Sequence, residues 1–241
     1  MKLWGIADTH LSFGVDKPMD VFGPRWANHA ERLGEAWERL VGPGDTVVVP
    51  GDISWAMTLD EALPDLQFLD RLPGQVLIGR GNHDYWWSTA RKMNAFIETH
   101  GLDSLTFMKN DAYRVPLAGG RGAVVTGSRG WILPGDPEFK EQDQKVYDRE
   151  VGRIRLSLQA GKKLLQEGDL LVSALHYPPL NRHAQETPIS TLLETSAVDL
   201  CVYGHVHGIG HRSVHEGENN GVRYVNVASD YLAFEPLLLA E

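Results

Sequence analysis

The feature that most constrains this chain is a repeated unit, in which a short apolar, β-branched run stops at a polar cluster and a stretch of helical spacing follows. The runs are Leu3 to Ile6, Thr46 to Val49, Gln75 to Ile78, Ala123 to Thr126, Leu170 to Leu175 and Asp199 to Val202. Their length and composition predict strands, and their alternation with helical stretches predicts a layered α/β fold. Between the first two runs, Trp26, Ala30, Leu33, Trp37 and Leu40 recur at three- and four-residue steps, the spacing of one helix face. Thr58 with Glu61 predicts a capping box, and Leu59, Ala62, Leu66 and Leu69 behind it predict a helix lying on the sheet. Asp136 and Pro137 open a long charged stretch closed by Gly168, which predicts one long helix with the sparse stripe Phe139, Val146, Ile154, Leu158 and Leu165. Its basic residues Arg149, Arg153, Arg155, Lys162 and Lys163 are mixed with acids and read as a solvated face. From His211 to Leu239 the chain reads as strands around a polar turn at 218–221. No linker or repeat divides the sequence, so one unit over residues 1–241 is expected.

Charge and cysteine content narrow the partners. A formal charge of -9 provides no general basic footprint, so nucleic acid is not a favoured partner. The only cysteine, Cys201, sits in an apolar run and excludes an intramolecular disulfide. The first residues reach Asp8 too soon for a secretory signal, and no apolar run has membrane-spanning length. A cytoplasmic location and no membrane partner are the expectations.

Five polar clusters follow the predicted strands: Asp8-Thr-His10, Gly51-Asp52, Gly81-Asn-His-Asp84, His176 and Gly204-His-Val-His207. In layered α/β folds the C-terminal strand ends meet along one edge, where such clusters can face a common point. The donors are oxygen and imidazole nitrogen with no thiolate, which suits a catalytic Mn, Fe, Zn, Co or Ni ion better than a structural zinc. Asp-x-His and His-x-His at a strand end point both side chains the same way. About seven donors exceed what one ion takes in an open site, whereas two ions roughly 3.5–4 Å apart and sharing a carboxylate would use them all. The glycines before Asp52, Asn82 and His205 permit close backbone approach.

In these motifs, taken in order from Asp8 to His207, the sequence resembles the calcineurin-like metallophosphoesterase superfamily, with its pattern D-x-H, G-D, G-N-H-D/E, H and G-H-x-H. The resemblance implies two central β-sheets flanked by helices. It also implies two divalent transition-metal ions, manganese first among them, one on Asp8, His10, Asp52 and His207, the other on Asp52, Asn82, His176 and His205. Asp52 would bridge. His83 would stand over the phosphate as general acid, with Asp84 accepting from its other ring nitrogen and favouring imidazolium. The nucleophile would be a hydroxide between the ions. Trp55 stands where purple acid phosphatases carry a tyrosine ligand, so a ferric tyrosinate is not expected. The segment Gly51-Asp-Ile-Ser-Trp-Ala-Met57 departs from the G-D-x-V-D-R-G of protein serine/threonine phosphatases, which disfavours phosphoprotein substrates. The layout is similar to compact bacterial phosphohydrolases and points to a small phosphoester. A diester is slightly preferred over a monoester, because no cluster of cations for a terminal phosphate is evident. A nuclease and a non-catalytic scaffold on the same fold are the alternatives.

Singly, Asp8 reads as a helix cap, Asn82 as a turn former and His176 as a hydrogen-bonded core imidazole; jointly those readings need five coincidences. His29, His100, His183, His211 and His215 match no ligand position and are expected on the surface or in loops. Arg80 and Arg129 lie near strand ends, placed equally for a phosphate clamp or a structural ion pair. Trp55, Tyr85, Trp86, Trp87, Trp131 and Tyr177 cluster beside the candidate ligands. If 85–87 is extended, Trp86 and Trp87 point to opposite sides, and one of them would line a substrate cleft.

Overall fold

The computed structural model describes residues 1–241. The predicted runs become β1 (Leu3–Gly5), β2 (Thr46–Val49), β3 (Gln75–Ile78), β6 (Gly122–Ser128), β7 (Leu170–Leu175) and β8 (Leu200–Tyr203). The sequence reading did not isolate β4 (Leu105–Phe107) and β5 (Ala112–Pro116). The tail forms β9 (Gly217–Asn219), β10 (Val222–Asn226) and β11 (Leu237–Ala240), with the first two paired antiparallel around the expected polar turn. Two sheets result, in the orders β11-β1-β2-β3-β4 and β5-β6-β7-β8-β10-β9. Each has a parallel centre; the first has an antiparallel strand at the β11 edge only, and the second at both edges.

Strand periodicity makes three apolar layers out of these two sheets. In β2, Val47 and Val49 face the outer layer while Val48 faces the layer between the sheets. In β8, Leu200 and Val202 turn to that central layer, and Cys201 and Tyr203 turn outward. Both faces of a strand are therefore dry, so the runs read as continuously apolar. Helices α1 (His29–Leu40), α2 (Leu59–Arg71) and α3 (Ala90–His100) cover the first sheet, and α4 (Glu141–Lys162) and α5 (Pro188–Thr195) cover the second. Fully burying an aliphatic side chain such as Leu33, Leu66 or Leu158 contributes roughly 1.5–3 kcal/mol, which is what binds helices to sheets.

Two helices depart from expectation. The Asp136 carboxylate accepts from the Glu138 amide at 2.9 Å and forms a turn, so α4 starts at Glu141. Its buried face is Tyr147, Glu150, Ile154, Ser157, Leu158 and Gly161, and Val146 lies off it. Helix α1 starts at His29, and Trp26 belongs to a preceding 3-10 turn, Pro24–Trp26, although its ring is buried as the spacing required. The Thr58–Glu61 capping box forms at the head of α2.

The two sheets meet at the C-terminal ends of β1 and β10. The Ala7 amide donates to Val227 at 2.7 Å, and the Ser229 amide donates to the Ala7 carbonyl at 2.9 Å, so β1 continues alongside the extension of β10. This junction places every strand-end cluster on one rim. No helix is long and apolar enough to cross a membrane.

Asp65 of α2 offers a test of this packing. Its carboxyl is buried, accepts from the Phe13 amide at 2.7 Å and from the Ser54 hydroxyl, and is pushed by burial from 3.8 up to about 6. A raised acid favours folding only while protonated, so its contribution is full below about pH 4 and is lost as pH rises to about 6, about 3 kcal/mol in all. Asp65→Asn should therefore gain on the wild type between pH 4 and pH 7, measured as the difference in urea unfolding free energy. A difference that stays constant across that range would overturn the assignment.

Candidate metal centre

Each predicted ligand emerges where its strand ends. β1 delivers Asp8 and His10, β2 Asp52, β3 Asn82, β7 His176, and β8 His205 and His207. The chain has to turn sharply there, and Asp8, His10, Asp52 and His205 all take left-handed backbone conformations, with φ of 58°, 45°, 53° and 74°. Such strain costs of order 1 kcal/mol or more per non-glycine residue and persists only where the surroundings impose it. Two glycines make the approach possible. A Cβ on Gly81 would lie 2.0 Å from Asp52 Oδ1, and one on Gly204 would lie 2.2 Å from Asp8 Oδ2.

The structure brings six of the seven predicted ligands together in two adjoining groups, Asp8 with His10 and His207, and Asp52 with His176 and His205, and Asn82 adjoins the second group. In the first, His10 Nε2 and His207 Nε2 lie 3.3 Å apart, and His207 Nε2 is 4.0 Å from Asp8 Oδ1. In the second, Asn82 Oδ1 lies 2.6 Å from His176 Nε2 and 2.9 Å from His205 Nδ1. Asp52 stands between the groups, its Oδ2 3.8 Å from His10 Nε2 and 3.4 Å from His176 Nε2. These are lone pairs converging in a buried space, and only protons or cations relieve them. The donor set therefore fits two divalent ions.

Burial sets the protonation of the metal-free cluster. It pushes Asp8 up to about 6 and pulls His10 and His205 down to about 3, so both imidazoles stay neutral and able to ligate at ordinary pH. Burial also opposes ionisation of Asp52, but His176 and the neighbouring imidazoles outweigh it and hold the carboxyl well below the usual range.

One supporting residue escaped the sequence reading. Asp230 accepts from His207 Nδ1 at 2.9 Å, from the Gly208 amide at 2.9 Å and from His211 Nε2 at 3.1 Å. It fixes the His207 tautomer so that Nε2 faces the cluster. Only its position just past β10 could have marked it.

Asp84 does not pair with His83. It is buried, and its carboxylate accepts from the amides of Gly81 (2.7 Å), Asp52 (2.9 Å), Ile53 (2.9 Å) and Ser54 (3.3 Å) and from Trp86 Nε1 (3.1 Å). Burial and Asp52 raise it to about 7, while the backbone donors pull the other way. The ring Nδ1 of His83 has no partner, and burial holds His83 below its ordinary range, so Asp84 does not promote imidazolium. The motif Gly81-Asn-His-Asp84 is a tight turn in which Asp84 faces inward onto the β2 loop, away from the ring.

Other expectations need correction. Residues 84–87 form a turn closed by the Trp87 amide on the Asp84 carbonyl (3.2 Å), so Trp86 and Trp87 do not alternate as on a strand. Trp86 is core, and Trp87 lines a small polar cavity with Arg80 and Arg129. That cavity, about 170 Å³, also holds Lys109 and Arg153. A cation cluster therefore does exist, drawn from four separate segments, with Arg153 reaching it from α4 while its side chain stays 39% exposed. His29 is buried with Nε2 3.2 Å from the His10 carbonyl, and His211 is held by Asp230. His215 is half-buried beside Tyr224, and His100 and His183 are exposed as expected.

The main opening over the metal-ligand groups is a cleft of about 660 Å³ lined by His10, His83 and His207 on one side and largely by Met19, Phe22, Trp26, Trp55 and Ile209 elsewhere. Trp55 stacks on His10 with centroids 4.9 Å apart and lies 4.5 Å from His83. Tyr177 covers His205 at 4.0 Å on the other flank.

A family model described as calcineurin-like phosphoesterase matches residues 1–208. No curated protein matches the sequence. Among solved structures, the chain is similar to the phosphopantetheinyl hydrolase PptH from Mycobacterium tuberculosis, with 18% identity and a TM-score of 0.59 over 99% of this chain and 95% of that one. It is also similar to the protein of unknown function AQ665 from Aquifex aeolicus, with 14% identity and a TM-score of 0.51 over 98% and 95% of the two chains. At these identities the likeness concerns the fold.

The inward role of Asp84 has a measurable consequence. Asp84→Ala strands four backbone amides, and the near-isosteric Asp84→Asn turns an NH₂ toward donors; both should lose roughly 3 kcal/mol or more in chemical denaturation. A fully stable Asn variant would sink this role.

Proposed function

The chain belongs to the calcineurin-like phosphoesterase family, and from that premise we propose that it hydrolyses a small phosphoester with two divalent ions, one held by Asp8, His10, Asp52 and His207 and the other by Asp52, Asn82, His176 and His205. The observation that carries the assignment is the division of labour within Asp52. Its Oδ1 accepts from the His83 amide at 2.8 Å, which leaves Oδ2 turned toward both donor groups. A carboxylate fixed at one oxygen and free at the other is suited to bridge. The nitrogen and oxygen donors suit Mn, Fe, Zn, Co and Ni, with Mn proposed as resident. When bound, the ions supply Lewis acidity and an acidified water for in-line attack at phosphorus.

His83 is the proposed general acid. Its amide is tied to Asp52, which sets the ring at a constant place relative to the donor groups, and the ring lines the cleft. The leaving group would then sit against Trp55, Trp26, Phe22 and Met19, so the departing alcohol is apolar or aromatic. His83 lines the same cleft, which supports proton delivery from its ring to the departing oxygen. The expected preference for a diester loses its ground, because four cations do gather beside the site. The reading kept is the ester class and the character of its leaving group. A nuclease fits poorly with a charge of -9, and a non-catalytic scaffold fits poorly with a complete donor set. A cytoplasmic location belongs to the same reading, supported by a single cysteine that is buried and whose thiol burial keeps protonated.

Two measurements test this. Metal analysis of Asp52→Asn should find both ions depleted and turnover lost by about a hundredfold or more; full content of either ion would remove the bridge. His83→Ala should retain metal and lose roughly 10²–10⁴-fold on alkyl esters but far less on nitrophenyl esters, whose oxygen leaves without a proton. Equal losses on both series would take His83 out of the acid role.

A further inference from the structure

The small cavity beside the metal-ligand groups has a composition that the hydrolytic reading does not use. It is walled by the ends of β3, β4 and β6 and by α4, and it presents Arg80, Lys109, Arg129 and Arg153 against one carboxylate, Glu150. One of its walls, the end of β3, also carries the donor Asn82. Arg80 precedes Gly81-Asn82, and the Arg129 carbonyl accepts from the His176 and Tyr177 amides at 3.0 Å each.

Glu150 cannot balance these charges. It is fully buried and already accepts from Arg153 and from the Ser128 hydroxyl at 2.8 Å, and Arg129 Nη2 stands 3.7 Å away. Lys109 reaches only the Ser88 carbonyl, at 3.4 Å. Nε of Arg80 and Nε of Arg129 are buried without any acceptor. Burial and the nearby Arg80 hold the Arg129 guanidinium below its ordinary range, against the pull of Glu150. In a chain of net charge -9, four cations gathered around one acid repel one another, and a purely structural ion-pair network would have matched charges. What the pocket lacks is an acceptor-rich anion of two or more charges. Guanidinium forks match the tetrahedral oxygens of a phosphoryl group, and about 170 Å³ is room for one.

We propose that this pocket binds a phosphoryl dianion distinct from the scissile group. Two sources share that chemistry, a second phosphate on the substrate and free inorganic phosphate. Arg80 and Asn82 are two residues apart, at most roughly 7 Å between their Cα atoms, a span that a small bisphosphorylated molecule covers. The substrate source rests on the phosphoesterase reading; the binding itself does not.

Inorganic phosphate titrated calorimetrically into the protein as purified, and again with chelator present, separates this pocket from the metal site. Binding should survive chelation and weaken about tenfold or more in Arg153→Gln and in Lys109→Met. Lys109→Met leaves the Glu150 contacts intact, so it carries the test if Arg153→Gln lowers the melting temperature. Heat that chelator abolishes, or that neither variant changes, would overturn the proposal. Paired aryl phosphate esters with and without a second phosphate then identify the source. A KM rise of about tenfold in Lys109→Met confined to the doubly phosphorylated ester assigns the site to substrate. Phosphate binding lost with no such KM change assigns it to free phosphate. If the wild type hydrolyses neither ester, the phosphoesterase reading fails while the binding result stands.

Discussion

The backbone junction at Ala7 is the constraint on which the site depends. Through it the first sheet continues into the second at the C-terminal ends of β1 and β10, and the donors of β1, β7 and β8 are brought to one point. Asp84 does the complementary work within the first sheet. By accepting amides from both the β2 loop and Gly81, it locks Asp52 and Asn82 into one register. A carboxylate is suited to that task, since it accepts several N–H groups at once and has none to donate.

Once the strand ends are locked, electrostatics follows from geometry. Buried imidazoles and carboxylates face one another with lone pairs toward a common centre, and the left-handed backbone at four of the ligand positions adds strain. Such an arrangement is costly to a metal-free chain, and cation binding would return that cost as affinity. The same logic explains Asp230, a group that keeps one imidazole nitrogen occupied so that the other can point at the cluster.

Around this centre the walls differ in kind. On the His10 and His83 side the surface is aromatic and aliphatic, built largely by the segment around Met19 to Trp26, and the bulk of a leaving group would lie there. Along the edge where β3, β4 and β6 meet α4, the wall is cationic. A molecule with an apolar end and an anionic end would be oriented by both walls before any chemistry occurs.

The sequence by itself determined six central strands of the layered fold and marked seven candidate donors, because both leave local marks. A strand buried on both faces must be continuously apolar, and a ligand at its end must interrupt the run with a polar residue, often beside a glycine. Tertiary structure alone decided what Asp84 holds, that Asp230 supports His207, that Trp86 and Trp87 lie in a turn away from the apolar cleft, and that four cations share one cavity. Those outcomes depend on atoms brought together from residues far apart in the chain. Arg80, Lys109, Arg129 and Arg153 come from three strand ends and a helix, and only the packing of the two sheets on each other and of α4 on the second makes them neighbours. Hydrogen bonds and like-charge contacts of that kind are set by distance in space, which no local pattern encodes.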